Sequence, residues 1–130
     1  MRKFFAAALS AAAAWMLLIA MLLAGVFFCT ASTAFYEHEY EKYDNAATIG
    51  VTDKTLMEIT DGLLDYLWGR RDNLDMQAEI NGEVREVFSQ REKDHMVDVL
   101  VLIKLARGAM IALFIGGVAA WVIAALLGRK

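Results

Sequence analysis

Residues 4–36, Phe-Phe-Ala-Ala-Ala-Leu-Ser-Ala-Ala-Ala-Ala-Trp-Met-Leu-Leu-Ile-Ala-Met-Leu-Leu-Ala-Gly-Val-Phe-Phe-Cys-Thr-Ala-Ser-Thr-Ala-Phe-Tyr, run for 33 positions without one charged side chain. A second uncharged stretch, Gly108 to Leu127, adds 20 more. About 20 apolar residues in a helix cross ~30 Å of hydrocarbon, so each stretch is long enough for one span. The two account for most of the apolar excess of a 130-residue chain that is 58% hydrophobic. These stretches decide the fold class: a mainly α membrane protein with two transmembrane helices flanking a small α+β extracellular cap.

Charge divides along the same lines. All sixteen acidic residues lie between Glu37 and Asp98, against seven basic ones, so this middle carries a formal net charge of −9. Arg2-Lys3 and Arg129-Lys130 make both ends basic. Lys and Arg beside a span favour the cytoplasmic side, which puts both termini inside and residues 36–98 outside. Lys104 and Arg107 run against this rule, but long side chains at the end of a span reach back to the interface. The expected organisation is residues 1–35 as the first transmembrane helix, 36–98 as the cap, and 99–130 as an interfacial helix continuing into the second span. Cleavage of a signal peptide after Ala34 is the rival for the N-terminus. The apolar core is about twice the 7–15 residues of a signal h-region, which favours an uncleaved anchor. The lone Cys29 excludes an internal disulfide, and its default role is that of a small buried apolar residue.

Between the spans, local signals follow one another. The first helix is expected to continue into Tyr36-Glu37-His38-Glu39-Tyr40-Glu41-Lys42-Tyr43. Tyr36, Tyr40 and Tyr43 stand at i, i+4, i+7, which lines three phenols along one helical face; an interfacial aromatic belt accounts for that pattern as well. Thr52 reads as an N-cap. Leu56, Ile59, Leu63 and Leu67 then form an apolar stripe, closed by Gly69 and the cations Arg70-Arg71. Asn81-Gly82, between Met76–Ile80 and Glu83–Phe88, signals a hairpin with a type I′ turn; its apolar residues do not settle on one face, so the register stays open. Ser89-Gln90-Arg91-Glu92 is a capping box, which starts a helix at Gln90. On a straight helix at ~1.5 Å per residue, His95 stands about 20 Å from Gly108.

His95 and Asp98 lie at i, i+3, a spacing at which a carboxylate accepts from one imidazole nitrogen and fixes the tautomer of the other. That is the orienting half of an acid–base device, although a histidine on the first turns of a surface helix is commonly only solvated. His38 among Glu37, Glu39 and Glu41 lacks metal-ligand spacing, so no metal site is read. No G-x-S-x-G and no phosphate-binding glycine loop is present, and no cofactor is implied. The negative middle argues against nucleic acid as a partner.

In their order, Phe35-Tyr36, Glu39-Tyr40, Lys42-Tyr43-Asp44, the Leu56 to Leu67 helix, Asn81-Gly82 and Arg91-Glu92-Lys93-Asp94-His95-Met96-Val97-Asp98-Val99 resemble a family of integral membrane proteins. Some of its members are the lipoprotein intramolecular transacylases of Gram-positive bacteria. The resemblance implies an enzyme that moves the sn-2 acyl chain of a lipoprotein's diacylglyceryl-cysteine onto the α-amine of the same cysteine. It implies four transmembrane helices, chemistry where cap meets membrane, and two catalytic histidines, of which the motif carries one onto His95. Asp98 would orient His95, and Tyr36, Tyr40 and Tyr43 would line the substrate pocket. The implied partners are the lipid bilayer and a diacylated lipoprotein. This sequence departs from the family in having Leu100 where a lysine is usual. It also lacks the region of the second histidine, so the expectation is a front part that is inactive without a C-terminal half or a partner chain. The alternative is a non-catalytic two-pass protein whose outer domain binds a partner or senses the envelope.

Overall fold

A computed structural model of the protein describes residues 1–128; the basic pair Arg129-Lys130 lies outside them. The element order is α1 (Arg2–Ala31), α2 (Thr33–Tyr43), α3 (Asn45–Ile49), α4 (Asp53–Leu67), β1 (Gln77–Ile80), β2 (Glu83–Glu86) and α5 (Gln90–Gly128). The protein is mainly helical, with two long apolar helices at its ends and a small middle of short helices and one hairpin, as the sequence leads one to expect. It divides into two units: Met1–Phe27 with Lys104 onward, and Phe28–Ile103.

The first unit is built from α1 and the apolar part of α5, both long and apolar enough to cross a membrane. Its buried positions are small: Ala6, Ala13, Ala20, Gly117 and Ala124. The spacing of seven between the three α1 alanines keeps one seam turned to a partner helix. The helices meet where α5 carries Gly116-Gly117. A Cβ on Gly117 would stand 2.8 Å from Leu17 Cγ, and one on Gly116 would stand 2.6 Å from Met16 Cε. Small residues allow such close approach, which is how helices associate where the surroundings are as apolar as their side chains. Trp15, Phe114 and Trp121 are accordingly exposed. Ser10 returns its hydroxyl to the Ala6 carbonyl at 2.9 Å, so the polar group inside α1 is satisfied within the helix.

The middle unit is held by local devices that the sequence announces. Thr52 caps α4, its hydroxyl accepting from the Thr55 amide at 3.1 Å. The far end of α4 closes as a Schellman motif, with Gly69 at φ +73°. The Gly69 amide donates to Tyr66 and the Arg70 amide to Asp65, the pairing this motif requires. Arg70 also meets the Asp65 carboxylate at 2.7 Å. The most buried line of α4 is Leu56, Thr60 and Leu64, with Gly62 and Tyr66, whereas Ile59, Leu63 and Leu67 are half-buried. The core face is thus rotated from the apolar stripe, because Thr60 turns inward to meet Tyr40.

The hairpin pairs Ile80 with Glu83, Glu79 with Val84, Ala78 with Arg85 and Gln77 with Glu86. Asn81 at φ +55° and Gly82 at φ +83° form its turn, since only residues that tolerate positive φ at both positions make a type I′ turn. This register explains why the apolar residues do not share a face: Ile80 and Ala78 turn inward, while Val84 sits opposite Glu79 and is 72% exposed. The turn rests on Gly50, whose carbonyl accepts from the Asn81 amide at 2.8 Å.

Two expectations are corrected. The first helix does not run unbroken into the tyrosines: Ser32, at φ −88° and ψ 107°, separates α1 from α2. The break falls in Thr30-Ala31-Ser32-Thr33, where hydroxyl side chains weaken helical continuity. Cys29 is exposed, not buried, because the end of α1 has no packed layer around it at that position.

Candidate active site

Helix α5 begins with the capping box. The Ser89 amide and hydroxyl both donate to Glu92 Oε2 at 2.7 Å, which holds the Glu92 carboxyl below the usual carboxylate range. One residue on, Lys93 Nζ reaches Asp75 Oδ1 at 2.7 Å and Glu86 Oε2 at 3.0 Å. These two hydrogen bonds raise the Lys93 ammonium above its ordinary value and tie the hairpin to α5. Gln90 donates to Asp94 at 2.8 Å. Four side chains of the first turn are therefore committed.

Arg91, His95 and Asp98 are not. All three are exposed, and among the described residues none makes a hydrogen bond or ion pair. They stand at i, i+4, i+7, so they share one face of α5. The hydrogen bond that the spacing allows between His95 and Asp98 is not formed. Glu92, the other carboxylate near His95 on the helix, is taken by Ser89, which leaves Asp98 as the neighbouring carboxylate free to orient the imidazole. Arg91 is a residue that sequence reasoning passed over; its i−4 spacing from His95 was the available signal.

The tyrosines divide. The rings of Tyr36 and Tyr40 lie 6.1 Å apart, and Phe35 meets Tyr36 edge-on at 5.7 Å. Tyr36 donates to the Thr30 carbonyl at 3.3 Å; partial burial, with Tyr40 beside it, pushes its phenol up. Tyr40 and Thr60 hydroxyls are 2.9 Å apart. Thr60 spends its only proton on the Leu56 carbonyl at 2.9 Å, so Tyr40 is the donor. Tyr43, at the end of α2, is 60% exposed, and the Lys42 ammonium lies 4.9 Å from the centre of its ring. Tyr36 and Tyr40 also belong to different surroundings: Tyr40, with Glu37, Glu41, Leu56 and Met57, lines a cleft of about 320 Å³ between α2 and α4. No hydrogen bond, ion pair or ring contact joins any of the three tyrosines to His95 or Asp98 among the described residues. The structure thus presents two half-sites, an imidazole face on α5 and an aromatic pair on α2.

Together the fold and these half-sites define a class: a small polar α+β unit bearing an uncommitted histidine, joined in sequence to two helices long and apolar enough to cross a membrane. Within that class the chain belongs to the family described as lipoprotein intramolecular transacylase Lit, which matches it over residues 11–128. The matched region contains most of α1, all of α5, the tyrosines and the whole imidazole face. No curated protein and no solved structure matches the chain.

Proposed function

We propose that this protein acts in lipoprotein intramolecular transacylation, moving the sn-2 acyl chain of a diacylglyceryl-cysteine to the α-amine of the same cysteine. The observation that carries the reading is the family match over residues 11–128. The reaction is an ester aminolysis. The amine nitrogen attacks the ester carbonyl, the C–N bond forms, the C–O bond to glycerol breaks, and the proton lost by the amine is returned to the departing alkoxide. A group is needed that accepts a proton and gives it back near neutral pH, and histidine does both. His95 is that group in this reading. It is exposed and has no side-chain partner among the described residues; in this reading Asp98, one turn on, takes one ring N–H and leaves the other nitrogen to exchange the proton with substrate. In this reading the ring pair Tyr36 and Tyr40 supplies the aromatic wall for the diacylglyceryl moiety, with Tyr43 at the far end of α2 reaching only its edge; both reacting groups sit on one molecule, so holding them together is the main catalytic task.

In this reading residues 36–98 face outward, both termini are cytoplasmic, and 1–35 and 99–130 contain the spans; the acidic middle and basic flanks support it. A second acid–base group, from a partner chain or a C-terminal part, would share the proton transfers with His95.

The test is tandem mass spectrometry of the N-terminal peptide of a lipoprotein from cells that make diacylated lipoproteins, with and without this chain. Transacylation leaves the total mass unchanged, so the fragments must place the acyl group. An N-acyl peptide that appears with the chain and vanishes with His95→Ala is the expected result once any second component is supplied. A peptide that stays O-diacylated with the chain and a second component both present overturns the reading.

A further inference from the structure

Lys93 is the most committed side chain of α5. It is 16% exposed, while its partners Asp75 and Glu86 are 65% and 59% exposed. One ammonium therefore gathers two carboxylates from the two arms of the hairpin at its open end: Asp75 precedes β1, and Glu86 ends β2 opposite Gln77. The hairpin is fixed elsewhere as well. Its turn hangs on Gly50, and Met76 covers Gly62 so closely that a Cβ there would stand 2.5 Å from Met76 Cε. The hairpin is thus a solid platform, and Lys93 is the charged contact by which α5 is keyed to it.

The consequence for His95 follows from helix geometry. At 3.6 residues per turn, each residue advances about 100° around the helix. Taking Lys93 as zero, Arg91, Asp98 and His95 fall at about 160°, 140° and 200°. Pinning Lys93 to the hairpin turns those three side chains to the opposite side, away from the platform and into the open. We infer that Lys93 is the positioning residue of the imidazole face: its two ion pairs set the rotation of α5 and so aim His95 at the substrate. This rests on the transacylase reading for what His95 does, but not for the keying itself.

A Lys93→Met variant keeps the aliphatic stem and removes the charge, and Lys93→Arg restores the charge in a shape that reaches both carboxylates. Pulsed dipolar spectroscopy reads the keying in the full chain, with spin labels at Val84→Cys and Val97→Cys in a Cys29→Ser background. The expected result is a single narrow distance in the parent and in Lys93→Arg, and a broadened one in Lys93→Met. In the lipoprotein assay, with any second component supplied, Lys93→Met should lower kcat about tenfold to a hundredfold, the scale of a small misplacement of a reacting group. KM should change little, and Lys93→Arg should recover the rate. Asp75→Asn and Glu86→Gln, each removing one arm, should fall between. A distance distribution unchanged by Lys93→Met overturns the inference, as does a parental kcat in that variant. If the parent itself yields no N-acyl product while Lys93→Met broadens the distance, the keying stands and the transacylase reading fails.

Discussion

The two units of this chain are assembled on opposite principles. The helix pair, Met1–Phe27 with Lys104 onward, is joined by the absence of side chains: alanines every seven residues on α1, and Gly116-Gly117 pressed against Met16 and Leu17. The middle unit, Phe28–Ile103, is joined by polar devices: a threonine cap, a Schellman closure, a capping box, a hydroxyl relay and a lysine between two carboxylates. The two principles belong to different solvents. In hydrocarbon there is little hydrophobic gain from helix association and close packing must supply it; in water, directional bonds define which turn faces where. The comparison teaches which unit has the groups that can move a proton. The helix pair offers an apolar cleft of about 430 Å³ lined by Leu17, Met21, Ile111 and Phe114 among others, with nothing to move a proton. The uncommitted imidazole is in the polar unit.

The largest effect should come from breaking the chemistry while sparing both assemblies. His95→Ala removes an exposed side chain that has no side-chain partner among the described residues, so thermal stability should stay within about 0.5 kcal/mol of the parent. Turnover, measured as N-acyl peptide, should fall by about 10²-fold to 10⁴-fold, the usual worth of a positioned acid–base group. A variant that retains turnover would remove His95 from the mechanism. Next is the reverse experiment on the helix pair. Gly117→Leu would force atoms into the space held by Leu17, and overpacking of this kind costs about 1–3 kcal/mol. Thermal denaturation in detergent should show the loss. An unchanged melting temperature would mean that the glycine pair is not what joins the helices.

Much of this was legible in the sequence, and the reason is range. The Asn81-Gly82 turn, the Thr52 cap, the Gly69 closure and the Ser89–Glu92 box each concern residues within four or five positions of one another, so composition and spacing suffice to find them. The two apolar stretches are legible because length and lack of charge define them. What could not be read is what crosses the chain. Tyr40 with Thr60 spans 20 positions and Lys93 with Asp75 spans 18, and neither pairing leaves a local pattern. Spacing also says which contacts are allowed, not which are made: His95 and Asp98 can meet and do not, whereas Glu92, equally close in sequence, is drawn off by Ser89. The Ser32 break was signalled by its hydroxyl-rich surroundings, but an uncharged run of 33 residues hid it.

Tyr40→Phe sharpens the comparison from inside the polar unit. The phenol donates to Thr60, which still has the Leu56 carbonyl to donate to, so the substitution strands no buried donor. The cost should therefore sit at the low end for a hydrogen bond, about 0.5–1 kcal/mol, read as a lower denaturation midpoint. Thr60→Val, which also deletes the bond to Leu56, should cost more. Equal costs would show that the relay has no direction.

The smallest effect is the most diagnostic of a unit held by charge. Ser89 holds the Glu92 carboxyl below its ordinary value, so Glu92 in the folded state binds its proton less readily than in the unfolded chain. Its contribution is present above the unfolded carboxyl value, about 4.3, and is lost as pH falls through the lower folded one. Ser89→Ala removes the hydroxyl bond, the larger cause of the shift, and leaves the bond from the backbone amide. The parent should thus be slightly more stable at pH 7, with the gap closing as the solution is acidified below the carboxylate range. Paired thermal melts of parent and variant at several pH values measure that gap. A gap independent of pH would mean that Ser89 contributes only as a neutral cap to the Glu92 amide, a bond already long at 3.4 Å. The charge on Glu92 would then have no part in starting the helix that carries His95.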